Sequence, residues 1–281
     1  MVNRVTAAFR QAFKIWHKDN PALLSAGISY FTLFSIVPAF VISIALAGHV
    51  FETYVPKQRI FGEIANLFNP EAAAAVQTML FAANKSAAPA TFFGILLLIW
   101  GASRAFWSLQ SALNIIWGVA DKPRKVHHFV MDRVKALLMI VGAGLLFAIF
   151  FALDLSLTFV RRHLRVYLPH LAVRLFVVST SYALFLGLFT LLFAMTFKFL
   201  PDVHITWKDV WAGAFVSAIL FALARYLIAL YFLFSMMATV YGAAGSVIVL
   251  LVWIYFSTQI LLFGAAFARA WSRPVTTLKI L

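Results

Sequence analysis

Six polar side chains, Ser103, Arg104, Ser108, Gln110, Ser111 and Asn114, interrupt one of the chain's long apolar runs. At roughly 100° per residue they share an arc of about 160° on a helix. Ala105, Phe106, Leu109, Ala112, Leu113, Ile116 and Trp117 occupy the opposite face. A helix in lipid with a continuous polar face turns it toward other helices or a wet cavity. Arg104 in mid-span costs about 2.5–3.5 kcal/mol on insertion scales, and something must offset that cost. Two readings follow: a fixed positive charge that draws an anionic group into a cavity, or an arginine that bridges helix carbonyls or an acid.

Asp154 is the only carboxylate well inside an apolar run, and Arg225 lies in the middle of another. Structural pairing is the expectation for both, with proton coupling the alternative role for Asp154. Together with Arg104 they leave the interior formally positive, which favours an anionic guest. Ser25, Ser29 and Thr32 share one side of a further run, with Tyr30 nearby. They are expected to line the cavity, or, as hydroxyls in that setting commonly do, to bond back to their own helix carbonyls.

Enzyme chemistry finds little support. His127-His128 sits in a basic stretch with Asp132 as its nearest acid and no second ligand pair at metal spacing. No glycine-rich phosphate loop, no HExxH and no GxSxG elbow is present. The absence of cysteine removes thiolate sites, cysteine nucleophiles and disulfides together. The expectation is a non-enzyme with no catalytic residues, no metal and no cofactor.

The elements that must position these residues follow from composition. The chain is 64% hydrophobic and 11% charged, against about 25% charged residues in a soluble domain. Phenylalanine occurs 30 times and is spread through every apolar run. This is too little polar surface for a soluble enzyme. The fold class is therefore all-α, a polytopic membrane protein. Residues 21–281 form one domain of six spans, at about 23–50, 91–117, 136–160, 174–198, 211–234 and 245–270. Each exceeds the ~20 residues that cross the hydrocarbon.

Pro38 predicts a kink or a locally broken helix in the first span. Asn69-Pro70-Glu71 reads as the start of a short extramembrane helix over about 70–84. Tyr241 to Ser246 suits a tight outer turn or a re-entrant stretch. Gly264, Ala265, Ala266 and Ala268 offer a small-residue surface for close packing.

Residues 1–20 form a separate amphipathic helix. Val2, Val5, Phe9, Ala12, Phe13 and Trp16 recur at helical spacing, with Arg10, Lys14, His17 and Lys18 outside that arc. The pattern fits a helix lying at an anionic membrane surface on the cytoplasmic side, or one packed on protein.

The formal charge of +14 and pI near 10.4 belong to topology, since no basic patch is interleaved with aromatics for stacking bases. With the N-terminus inside, fourteen Lys and Arg fall on the cytoplasmic side, seven outside and two within spans. That bias places both termini in the cytoplasm. Arg161, Arg162, Arg165 and Arg174 run against the rule, so the connection after the third span is an exception or a site that handles anions.

Four blocks in order give the chain a specific resemblance. They are SAGISYFTLFSIVPAF (Ser25 to Phe40), WGASRAFWSLQSALNIIWGV (Trp100 to Val119), PDVHITWKDVWAGA (Pro201 to Ala214) and YGAAGSVIVLLVWIYFSTQILLFGAAFARA (Tyr241 to Ala270). From Asp19 to Trp271 the chain resembles the YihY / virulence factor BrkB family of bacterial membrane proteins. The resemblance implies a six-helix inner-membrane protein with cytoplasmic termini, linked to envelope integrity and serum resistance. Movement of anionic lipids has been suggested for such proteins. An older label, ribonuclease BN, finds no support here, because a metal-dependent nuclease needs clustered acids or histidines. Arg104 and Asn114 match a recurring Arg and Asn of the family's second helix. One departure is Ala266 after Gly264-Ala265, where many relatives carry Glu.

The functional expectation is a transporter or flippase-like protein for an anionic amphiphile such as phospholipid. Arg104 would hold the head group, Ser103, Ser108, Gln110, Ser111 and Asn114 would line its path, Arg225 would assist and Asp154 would balance charge. The partners are membrane lipids and no nucleic acid, with a homo-oligomer or an envelope protein as a further partner. The rival is a non-transporting scaffold for envelope machinery.

Overall fold

The computed structural model describes residues 2–51, 87–119, 138–139, 141–153, 156, 170–203, 205–234 and 243–272. Among them the chain forms seven helices: α1 Val2–Lys18, α2 Pro21–Phe51, α3 Ala87–Trp117, α4 Val141–Leu153, α5 His170–Phe199, α6 Trp207–Phe234 and α7 Ala243–Ser272. The five longest have 28 to 31 residues and begin two to four residues before the expected spans. Helix α2 is continuous through Pro38, so it is not locally broken there. Ala243 to Ser246 belong to the first turn of α7 and not to a turn or re-entrant stretch. Preceding residues up to 242 lie outside the described residues, as do the 70–84 segment, His127-His128, Asp154 and residues 161–169.

Three stretches among the described residues are long and apolar enough to cross a membrane: Ser179–Phe199, Trp207–Leu227 and Val247–Ser272. Only 28%, 28% and 22% of each is buried. Leu223, Leu227 and Phe256 are among the exposed side chains. Water would penalise that surface by about 25 cal/mol per Å², whereas hydrocarbon does not. The chain is a membrane protein whose described residues are built on helices alone.

The chain divides into two units, Met1–Ala26 with Ser108–Leu281, and Gly27–Trp107. The larger unit is built on α7. Helix α6 lies against it through small residues. A Cβ on Gly264 would run into the Ser217 side chain, and one on Gly213 would lie 2.6 Å from the Ala268 Cβ. Ala265, Ala266 and Ala268 are fully buried, as the small-residue pattern predicts. An aromatic ladder ties α5 to α6 and α7: Phe189 stacks on Phe221 at 4.6 Å, and Phe221 meets Trp253 edge-on at 5.4 Å. Thr206 opens α6 as a cap, its hydroxyl 2.6 Å from Asp209 Oδ2 and its carbonyl accepting from Val210 N–H.

Helix α1 packs on the end of α7. Phe9 meets Phe267 at 4.7 Å, Trp16 meets Phe263 edge-on, and the Arg4 guanidinium lies 4.6 Å over Trp271. Ala8 and Ala12 are the buried edge, while Val5, Phe9 and Phe13 stay exposed. The apolar arc therefore serves two surfaces: its alanines are buried against protein, whereas Phe9 packs on Phe267 yet stays partly open beside the more exposed Phe13.

In the smaller unit α2 and α3 cross closely at Gly101, where an added Cβ would lie 3.1 Å from Ser35 N. Phe31 meets Trp100 edge-on beside this crossing. Thr32 donates to the Ile28 carbonyl at 2.7 Å, the back-bonding expected of it. Ser29 is buried, and so is Ser25 in the larger unit.

Candidate functional site

The polar residues of α3 do not act as one strip. In the smaller unit Arg104 is exposed, and its guanidinium lies 5.9 Å over the Trp107 ring. Ser103 is half-buried and donates to the Ile99 carbonyl, so its hydroxyl is turned to its own helix. Neither helix carbonyls nor an acid is among the contacts described for Arg104. An arginine backed by a tryptophan is suited to hold a phosphate or carboxylate from the membrane phase.

In the larger unit the last turns of α3 are tied down. Ser108 and Ser111 are half-buried, whereas Gln110 and Asn114 are buried. Asn114 Nδ2 donates to Asp202 Oδ2 at 2.9 Å, and Asn114 Oδ1 accepts from Asp202 N–H at 2.9 Å. Gln110 Nε2 donates to Asp202 Oδ1 at 3.2 Å. One aspartate thus fixes the α5–α6 connection to α3 through three hydrogen bonds.

The C-terminus of α3 closes on Gly118, which has φ +70°. Gly118 N–H donates to the Ile115 carbonyl and Val119 N–H to the Asn114 carbonyl, the paired bonds of a Schellman cap. Arg269 of α7 takes the Ile116 carbonyl with Nη1 at 2.5 Å. The positive φ favours glycine, and a Cβ there would sit 2.7 Å from Arg269 Nη2, so a larger residue would also displace the guanidinium. A cation over a helix C-terminus also complements the helix dipole.

Beside Arg269 lies a cavity of about 260 Å³, edged by Gln11, Lys18 and Asp19 together with Gly118. Ile15 and Ile115 form its apolar side. Burial pushes the Asp19 carboxyl above its ordinary value, while the Arg269 and Lys18 charges pull it down. Asn20 follows with φ 47°, and its carbonyl accepts from Leu23 and Leu24 N–H, turning the chain into α2.

Arg225 of α6 is exposed and lies between rings, 4.8 Å over Phe185 and 5.4 Å over Tyr226. The Tyr226 hydroxyl is hydrogen-bonded to that of Tyr182. Asp154 lies outside the described residues, so its pairing with Arg225 does too. Sequence reasoning missed Asp202, Arg269, Asp19 and Gly118 as parts of a site. The signal for Gly118 was a glycine directly after the last polar turn of α3. Asp202 and Arg269 stood inside the quoted blocks, but nothing in their spacing tied them to α3.

Among known proteins, the family model for virulence factor BrkB matches residues 12–278. The chain belongs to that family. Relatives of this BrkB-family chain include a UPF0761 membrane protein of Pseudomonas paraeruginosa, 28% identical over 271 residues that make up 92% of this chain and 63% of that one. A UPF0761 membrane protein of Pseudomonas aeruginosa is 28% identical over 89% of this chain and 60% of its own length. One of Vibrio parahaemolyticus is 28% identical over 94% of this chain and 82% of its own length. The BrkB-family chain therefore spans about three-fifths of the Pseudomonas relatives. No solved structure matches it.

Proposed function

We infer that this chain is a bacterial inner-membrane protein that moves an anionic amphiphile, such as a phospholipid, across the bilayer. Helices α2 to α7 are its six spans, and both termini are cytoplasmic. The reading involves no enzymatic step and no cofactor.

The observation that carries it is Arg104. It lies 13 residues before the end of α3, roughly 20 Å along a helix rising 1.5 Å per residue. A charge at that depth, exposed and backed by Trp107, is offset when a phosphate meets it. Arg225, also exposed and set on Phe185 and Tyr226, offers the same chemistry on α6. An arginine kept only for helix packing would be buried against carbonyls or a carboxylate. The membrane supplies the anion, and the exposed Phe9 and Phe13 of α1, beside Arg10 and Lys14, suit an anionic surface.

The test is reconstitution into liposomes carrying a trace of fluorescent anionic phospholipid, with a membrane-impermeant reductant added outside. Wild-type protein is expected to expose the inner-leaflet probe, and Arg104→Ala to lose that activity at least about tenfold, the loss of one charge-assisted contact. Quenching confined to the outer leaflet in every sample would contradict passive lipid movement and favour a scaffold for envelope machinery.

A further inference from the structure

The cavity at the end of α1, α3 and α7 belongs to no part of the reading above. Its charged edge is made of Lys18, Arg269 and Asp19, with the Gln11 amide beside them. Two cations against one acid leave it positive. The negative end of α3 would ordinarily oppose an anion here. In this chain the carbonyls of Asn114, Ile115 and Ile116 are already taken by Val119 N–H, Gly118 N–H and Arg269. The guanidinium is held in place by that bond and by Gly118, whose missing side chain leaves room for it.

We propose that this cavity binds a phosphate-bearing anion, with Lys18 and Arg269 as the charged partners and Gln11 as a neutral donor. The volume, about 260 Å³, suits a head group and falls short of the ~300 Å³ and upward of drug-sized pockets. Ile15 and Ile115 provide an apolar wall for the glycerol carbons. The outer edge of α1 carries exposed Phe9 and Phe13, so the cavity's own helix has a lipid-seeking side. Asp19 lies on the same edge between the Arg269 and Lys18 charges, which outnumber it and leave the cavity open to an anion. The inference rests on the chain lying in a membrane and not on transport.

The experiment is a titration of the purified full-length chain in detergent with short-chain phosphatidylglycerol, read by native mass spectrometry. Lys18 is exposed at the end of α1, so Lys18→Gln leaves the fold intact. It is expected to weaken the tightest lipid-binding step about tenfold, as loss of one charge-assisted contact does. Arg269→Gln is expected to weaken it at least as much, and Arg104→Ala to leave it unchanged. The Arg104→Ala arm separates the two claims, because transport can fail there while the cavity still binds. Displacement of the lipid by inorganic phosphate would identify free phosphate as a sufficient occupant. Binding that phosphate does not displace would assign the site to the lipid head group with its chains. An unchanged affinity in Lys18→Gln overturns the proposal, whatever Arg269→Gln does.

Discussion

At the scale of single residues, what each polar group does depends on whether its unit consumes it. Gln110 and Asn114 are consumed: both are buried, and both hold Asp202. Arg104 is not, and its described contact is the ring of Trp107. Helical spacing put all six polar residues of α3 in one arc but could not divide them, because the divider is an aspartate some ninety positions away. Asn114→Ala should lower stability in detergent by about 1–2 kcal/mol, since Asp202 is exposed enough for water to replace part of what is lost. A shift in the unfolding midpoint followed by tryptophan fluorescence would measure it, and no shift would contradict the clasp.

Asp19 makes a second test at this scale. Its folded-state carboxyl holds its proton more tightly than an unfolded one, burial being the main cause. Its stabilising contribution is therefore present below the unfolded value and is lost as pH rises through the folded one. Relative to Asp19→Asn, the wild type should lose stability as pH is raised from below about 4 toward neutrality, and stay level thereafter. A difference that grows with rising pH would mean that the Arg269 and Lys18 charges outweigh burial.

At the scale of elements, apolar run length was enough to locate the helices, because a backbone in hydrocarbon must satisfy its own hydrogen bonds. The starts came out two to four residues late, since a helix continues into more polar turns such as Trp207-Lys208-Asp209 at the start of α6. Pro38 read as a kink or a local break because proline removes one hydrogen bond, and of the two the break is excluded, since α2 runs through it. The Tyr241–Ser246 stretch read as a turn from its glycines, although Ala243 to Ser246 already have helical hydrogen bonding. The α6–α7 contact was only half legible. Gly264 and its alanines announced a close approach, but Gly213 and Ser217 gave no sign that they were its other side. Gly264→Leu should separate α6 from α7 and cost at least about 1–3 kcal/mol by overpacking. Ser217→Gly in the same chain should recover part of that loss in the thermal midpoint, and its failure to do so would place the clash elsewhere.

At the scale of the molecule, composition alone pointed to a membrane protein, and the sparse burial of Ser179–Phe199, Trp207–Leu227 and Val247–Ser272 agrees with lipid as their solvent. The four sequence blocks pointed to the BrkB family, to which the chain belongs. Activity was not legible in the same way, because no motif of catalysis or energy coupling accompanies the arginines. The choice between carrier and scaffold turns on whether Arg104 meets an anion. The most direct measurement is the ratio of leaflet-exchange rates for an anionic and a zwitterionic phospholipid in liposomes, for wild type and Arg104→Gln. The account predicts a ratio well above one in the wild type that collapses toward one in the variant. Equal ratios in the two proteins would contradict it.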